Sequence, residues 1–311
     1  MDALSSAVYV HAPTALGQAC GHRPSARHAP FDQDLADRVH RLCGQSLRQA
    51  SRFIHLAAAG ALDTARRAQL PDTAGLYLAT GLGDQVTPAR VFSRTHLHPG
   101  AVSPFDFVNM NSNTAAYHVA RLAGLRGPNL TITQGLLSFE WALRLALEAM
   151  AGGLAYALVG GVDERAASRA ELARRYRPGR GQVPGEGSGW LALSAEPARG
   201  RLIAMYWLTS PRKADWQALR ERLAGLAARR PVQVSDGPRV PKPSIAALLD
   251  GLRQATPRPY LMDCGSYPTA AAFGLAQALQ DGGPEGALLL HVSTDGRARF
   301  VLTVCEIAEA S

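Results

Sequence analysis

A chain of 311 residues with 47% hydrophobic content can bury a large core, as one domain or as two fused halves. No stretch approaches the ~18–20 apolar residues of a membrane span, and the N-terminus lacks a basic segment followed by an apolar core, so a cytoplasmic protein without membrane insertion is expected. The net charge of +8 is almost wholly arginine, with Lys213 and Lys242 the two lysines; dispersed arginines without an aromatic-interleaved stripe or recognition helix exclude a nucleic-acid binder.

In chain order, strands are predicted at Ala7–Val10, Ala74–Leu78, Leu130–Ile132 and Ala157–Val162. Helices are predicted between them around Asp37–Ala59, Thr114–Leu122 and Leu137–Met150. The second half is predicted to carry strands at Leu202–Leu208, Val232–Val234, Tyr260–Met262, Ala287–Val292 and Phe300–Cys305. Its helices are expected near Trp216–Ala227, Ser244–Gln254 and Thr269–Leu279. Alternating buried strands and helices mean an α/β fold, expected here with largely parallel sheets. The helix at Leu137–Met150 is apolar on nearly all faces and belongs between layers.

The two halves echo one another. In each, a strand ends at a small-residue turn, Gln134-Gly135 and then Cys264-Gly265-Ser266. Each turn feeds an apolar helix that ends at paired glycines, Gly152-Gly153 and then Gly282-Gly283, and a further strand follows. A weak internal repeat of this kind points to two related α/β halves around central helices.

Several local signals have plain readings. Gly185-Glu186-Gly187-Ser188-Gly189 mimics a phosphate loop, but a strand rather than a helix follows, so a turn glycine cluster is expected. His96 and His98 have no accompanying ligand set, which leaves no metal site, and nothing calls for a cofactor. The four cysteines, Cys20, Cys43, Cys264 and Cys305, lack metal or disulfide spacing and are expected to be reduced thiols.

Longer motifs carry a resemblance. Ser103-Pro104-Phe105, Asn111-Ser112-Asn113, Gly124–Thr131, Leu158–Glu164 and Gly185–Leu193 are similar to the N-terminal half of the β-ketoacyl synthases, and Cys264–Gly274 and His291–Arg299 match later landmarks. The resemblance implies a thiolase-like fold, two similar halves in five layers, with halves at 1–195 and 196–311 of a single domain, and a dimer. It also implies a catalytic cysteine at the head of the central helix and two histidines on turns of the second half. Here the nucleophile position is Leu136, the two histidine turns carry Asp236 and Ser266, and the closing Gly-Phe-Gly-Gly turn reads Thr294-Asp295-Gly296-Arg297.

The pattern resembles the chain-length factor, whose usual glutamine would fall two residues after Gln134, and the short ketosynthase-like proteins of aryl polyene and xanthomonadin-type pigment clusters. The implied role is a non-catalytic subunit of fatty-acid or polyketide synthesis, paired with an active ketosynthase or with itself and serving an acyl carrier protein. Alternatives are a stand-alone acyltransferase using Cys264 or Ser138, and an acyl or carrier-protein binding module. Phe105, Asn109, Asn111, Asn113, Leu130, Ile132, Gln134, Gly135, Leu136, Cys264, Gly265 and Ser266 are the pocket or interface candidates, with Leu130–Ile132 as the dimer edge.

Overall fold

A computed structural model of the chain describes residues 3–19, 35–97, 100–165, 179–198, 200–228, 230–249, 252, 255–284 and 286–307. Cys20, His98 and the predicted helix end at Gln254 lie outside these residues. Five strands come early: β1 (Ala3–Ala19), β2 (Gly75–Ala79), β3 (Asn129–Ile132), β4 (Tyr156–Asp163) and β5 (Gly185–Ser194). Five follow: β6 (Gly200–Thr209), β7 (Val232–Asp236), β8 (Ala255–Pro257), β9 (Ala287–Thr294) and β10 (Arg299–Ile307).

The sheet order is β3-β2-β4-β5-β1-β6-β10-β9-β7-β8. Read from each outer edge inward, third, second, fourth, fifth and first strand recur in both sets. The directions recur as well: β2 is parallel to β3 and β4, β7 to β8 and β9, and the remaining pairings are antiparallel. The expectation of largely parallel sheets is thus corrected to a mixed sheet. Antiparallel strands covered on both faces read as the same continuous apolar runs that parallel ones do, so composition could not separate them.

Helices α1 (Leu35–Cys43), α2 (Arg52–Arg67), α3 (Val86–Phe92), α4 (Pro104–Asn109), α5 (Thr114–Ala123) and α6 (Ser138–Ala151) belong to the first strand set. Helices α7 (Lys213–Ala227), α8 (Lys242–Leu249), α9 (Leu261–Cys264) and α10 (Ala270–Asp281) belong to the second. Three buried cores separate five layers. Leu56 and Leu62 of α2 and Val119 of α5 pack on Leu76, Leu158 and Trp190. Phe139 and Leu143 of α6 and Phe273 and Leu275 of α10 fill the centre, touching Val159 and Leu191 on one side and Leu202, Leu289 and Val301 on the other. Leu219, Leu223 and Leu248 cover Val234, Leu290 and Leu302 on the far face. The placement of the Leu137–Met150 helix between layers is observed, because its apolar girdle has a sheet on each side.

Three local expectations are corrected. The single helix over Asp37–Ala59 is two: Gly44 takes φ +69 and donates to the His40 carbonyl at 2.7 Å, ending α1, and the Ser51 hydroxyl accepts from the Ile54 amide at 3.4 Å, starting α2. Tyr260–Met262 is not a strand but the first turn of α9, with the Asp263 and Cys264 amides bonded to the Tyr260 carbonyl; a three-residue apolar run fits either state. The Gly185–Gly189 glycines lie within β5 rather than in a turn. A Cβ on Gly185 would meet the Cys264 carbonyl oxygen at 1.9 Å, one on Gly187 the Tyr267 hydroxyl at 2.1 Å, and one on Gly189 the Ala272 carbonyl carbon at 2.4 Å. Period-two glycines therefore clear one face of β5 for the α9–α10 segment to lie against its backbone.

Candidate functional site

The two central helices begin at the same place. Ser138 opens α6 after the 3-10 turn Gly135–Leu137, and Thr269 is the N-cap of α10. One buried carboxylate ties these heads to the loop after β2. Asp163 Oδ1 accepts from Thr80 Oγ1 (2.8 Å) and the amides of Gly81 (2.9 Å) and Leu82 (2.7 Å). Its Oδ2 accepts from the Thr269 amide (2.9 Å) and hydroxyl (2.8 Å). Burial raises the Asp163 pKa and these donors oppose the rise. Ser138 Oγ completes the frame: it accepts from the Gln134 amide at 2.8 Å and sits 3.0 Å from the Thr80 carbonyl and 2.8 Å from that of Gly135, to either of which it can donate.

Above this frame is an open cavity of ≈ 430 Å³ lined by Gly81, Leu82, Gln134, Gly135, Leu136, Pro268, Arg239, Asp295, Arg297 and Arg299. A Cβ on Gly81 would meet Pro268 Cβ at 2.2 Å, so glycine lets the two walls touch. Asp295 shapes the far rim by accepting from the amides of Arg297 (2.8 Å), Ala298 (3.0 Å) and Arg299 (3.0 Å). Burial pushes its pKa up, but those amides and the Arg299 charge outweigh burial and hold it below the usual aspartate value. Among the described lining residues there is no thiol, imidazole or hydroxyl side chain. The arrangement can seat an apolar group and an anion, and Asp295, the carboxylate of the described lining, is tied through Oδ1 to the backbone of its own turn.

The structure brings together Gln134, Gly135 and Leu136, with Leu136 half-buried at the position where a nucleophile was expected. Asp236 and Ser266 do not line the cavity. Asp236 ends β7, half-buried, and Ser266 is fully buried with its hydroxyl on Gln182 Oε1 at 2.9 Å. Their turns instead send Arg239 and Pro268 to the rim and wall. Gly265, at φ +75, lies against the start of β5, where an added Cβ would sit 2.6 Å from Gly185 Cα and 2.8 Å from the Pro184 carbonyl oxygen.

Cys264 was expected to face the cleft, and that is corrected. It is fully buried beside Gly17, donates to the Gly265 carbonyl at 3.2 Å, and burial drives its thiol pKa far above the ordinary value, with the Tyr267 hydroxyl opposing. Such a thiol is protonated and unreachable. Ser138, equally buried and committed to the loop, is no nucleophile either.

A second polar group, which the sequence did not reveal, lies behind the cavity in the central core. Glu140 of α6 is 1% exposed, and neither carboxyl oxygen has a hydrogen-bond partner among the described residues. Burial pushes its pKa up to about 7; the Ser293 hydroxyl faces it and opposes the shift without reaching hydrogen-bonding geometry. Nearby on β9, His291 Nδ1 and Ser235 Oγ share a 2.7 Å hydrogen bond, and burial lowers the imidazole pKa to about 4, so it is neutral at physiological pH. Among the described residues no cluster of three His, Cys, Asp or Glu side chains could hold a metal; His96 is exposed, stacked on Phe92 and bonded to Thr95 Oγ1 at 2.7 Å. No helix of the described residues is long and apolar enough to cross a membrane.

The remaining candidates form a separate face. β3 is an outer strand of the sheet, and α3, α4, α5 and β3 pack on one another in that order. These elements expose Phe92, Phe105, Phe107, Val108, Tyr117 and Leu130. An ion pair between Arg90 and the buried Asp106 pins α4, and Asn109 donates to the Gln49 carbonyl at 2.8 Å. Asn111 donates to the Val108 carbonyl at 3.2 Å, and Asn113 is the N-cap of α5 without a capping side-chain bond. None of these residues lines the cavity. Ile132, expected at the edge, is 8% exposed and turns into the central core, whereas Leu130 is 39% exposed.

Comparisons with known proteins agree with this geometry. The fold matches the ishigamide ketosynthase/chain length factor at 17% identity and TM-score 0.68, over 99% of this chain and 100% of that one. It matches a ketosynthase from module 6 of the bacillaene synthase from Bacillus subtilis 168 at 12% identity and TM-score 0.69, over 98% of this chain and 72% of that one. A third match is AntDE:AntF, a type II PKS acyl-carrier protein in complex with its ketosynthase bound to the hexaketide, at 12% identity and TM-score 0.70, over 97% and 99% of the two chains. These likenesses show a thiolase-like fold. No curated protein matches in sequence. Residues 25–196, more than half of the chain, match the model of the β-ketoacyl synthase N-terminal domain. On that match and that fold, the chain belongs to the β-ketoacyl synthase family.

Proposed function

We propose that this chain is a non-catalytic, chain-length-factor-like subunit supporting β-ketoacyl condensation in fatty-acid or polyketide synthesis, with aryl polyene pigment formation the narrower assignment. The observation that carries the reading is Leu136 at the head of α6, above an intact hydrogen-bonded frame and in a cavity whose described lining has no thiol, imidazole or hydroxyl side chain. The chain works as one domain of two halves divided at 195/196, in the cytoplasm. Its partner is an intact ketosynthase, seated on the β3 edge and its exposed aromatic side chains, since an unpaired apolar edge otherwise invites aggregation. The excess of arginine suits an acidic acyl carrier protein, steered in a salt-dependent way.

The test is a condensation assay with malonyl- and acyl-loaded carrier protein. The isolated chain should neither acquire an acyl group by intact mass nor decarboxylate the malonyl carrier, and adding a ketosynthase with its own catalytic residues should yield product. Condensation by the isolated chain would overturn the reading. A homodimer that ignores every such ketosynthase would favour the binding-module alternative.

A further inference from the structure

The rim of the cavity carries a charge arrangement that neither folding nor the lost condensation chemistry explains. Arg239, after β7, and Arg297 and Arg299, at the β9–β10 turn, converge on one opening, and none forms an ion pair among the described residues. The one carboxylate of the described lining, Asp295, accepts three backbone amides on Oδ1 and offsets one of the three charges, chiefly that of Arg299, so the rim keeps an excess of positive charge. Three guanidinium groups at one mouth repel one another. Arg239 is also held in the left-handed region at φ +64, with its guanidinium so close to Gly296 that a Cβ there would sit 2.8 Å from Arg239 Cζ. That conformation is uncommon for a residue with a side chain and needs the surroundings to impose it.

The rest of the cavity suits a small molecule. The inner wall, Leu82, Leu136 and Pro268, is apolar. A cavity of ≈ 430 Å³ lies within the ~300–1,000 Å³ range of small-molecule sites. We propose that this cavity reversibly binds a small molecule with an oxyanion head, carboxylate or phosphate, and a short apolar body. The head is held by Arg239, Arg297 and Arg299, and the body lies against Leu82, Leu136 and Pro268. The planar guanidinium fork suits either oxyanion. The inference rests on the reading that position 136 performs no covalent chemistry, and it does not depend on the ketosynthase partner.

Isothermal titration of the full chain with octanoate, octyl phosphate and octanol tests it. Saturable binding is expected for at least one of the two anions, and the tighter of them identifies the headgroup. Octanol should bind at least roughly tenfold more weakly, as should the anion in an Arg297→Gln/Arg299→Gln double variant and in about 0.5 M salt. Leu136→Trp, which fills the cavity without changing charge, should also abolish binding. Octanol binding as tightly as the anions, no binding by either anion, or undiminished affinity in a folded double variant would overturn the site. If the anion binds but intact mass shows acyl transfer onto the chain from a loaded carrier, the non-catalytic reading fails while the site stands. If no anion binds yet a ketosynthase mixture still condenses, the site alone fails.

Discussion

The cavity at the heads of α6 and α10 and the outer face around β3 are the two places where this family member departs from a closed globule, and they depart in opposite ways. In the cavity the polar scaffold is complete: Asp163 has five donors and Ser138 ties Gln134 to the loop after β2, yet the residue displayed at the α6 head is Leu136. At the outer face the side chains on display are aromatic and aliphatic, and among the described residues the outer strand has no neighbouring strand on one side. On the proposed reading, retained scaffolding around Leu136 leaves shape and charge as the cavity's use. On the same reading, retained apolar exposure gives the face to association.

The largest expected effect comes from breaking the scaffold. Asp163→Ala strips five hydrogen bonds from two helix heads and a loop in a fully buried site, and should lower unfolding free energy by about 3–5 kcal/mol in urea titrations. An unchanged midpoint would mean that the frame is not what holds the cavity open.

Breaking the other region should leave the fold alone. Leu130→Asp, on the exposed part of β3, should weaken association with a ketosynthase roughly a hundredfold by light scattering or titration, while stability changes by less than about 1 kcal/mol. Ile132→Asp cannot serve here, because it places a charge in the central core and will unfold the chain whatever the interface. Wild-type affinity in Leu130→Asp would remove β3 from the interface.

An effect of similar size, visible only against pH, separates the satisfied carboxylate Asp163 from the unsatisfied Glu140 of the central core. The folded pKa of Glu140 is raised to about 7 from 4.5 unfolded, so the folded state holds the proton more tightly. Its contribution is fully present below pH 4.5, falls as pH rises to about 7 and is then lost, for a total of about 3 kcal/mol. Glu140→Gln should remove that fall. Glu164, also raised to about 7 by burial and then by the Asp84 charge, remains in both proteins, so the difference between the two stability–pH curves isolates Glu140. Parallel curves would show that Glu140 finds a partner in solution.

The smallest expected effect is none. Leu136→Cys restores a thiol to the α6 head, but Asp236 and Ser266 still stand where charge-stabilising histidines were expected, so product formation by the isolated chain should stay at background. Measurable turnover by this variant would mean that the cavity retains an oxyanion site outside those two turns.

Much of this was legible along the chain, and the exceptions have physical reasons. The alternation of buried runs and the paired glycines after each central helix pointed to two related halves, because each half must bury a like helix between like layers, but the strand order and directions were not legible there. The family resemblance alone assigns Leu136 to the nucleophile position, since a motif's spacing survives the loss of its chemistry, and the structure places it in the cavity wall. Gly44 and Ser51 also mark a helix break that a continuous apolar period over residues 37–59 conceals. Only the tertiary structure decided which neighbours meet. Arg239 and Arg299 lie 60 positions apart by number and share a rim because β7 and β10 flank β9 on opposite sides. Ile132 and Leu130 share the same side of a four-residue strand by alternation, yet one is buried and one exposed because α6 covers only the inner end of β3. Burial, and with it the inert Cys264 thiol and the shifted Glu140 carboxyl, depends on what packs across from a residue, and a linear sequence does not record that.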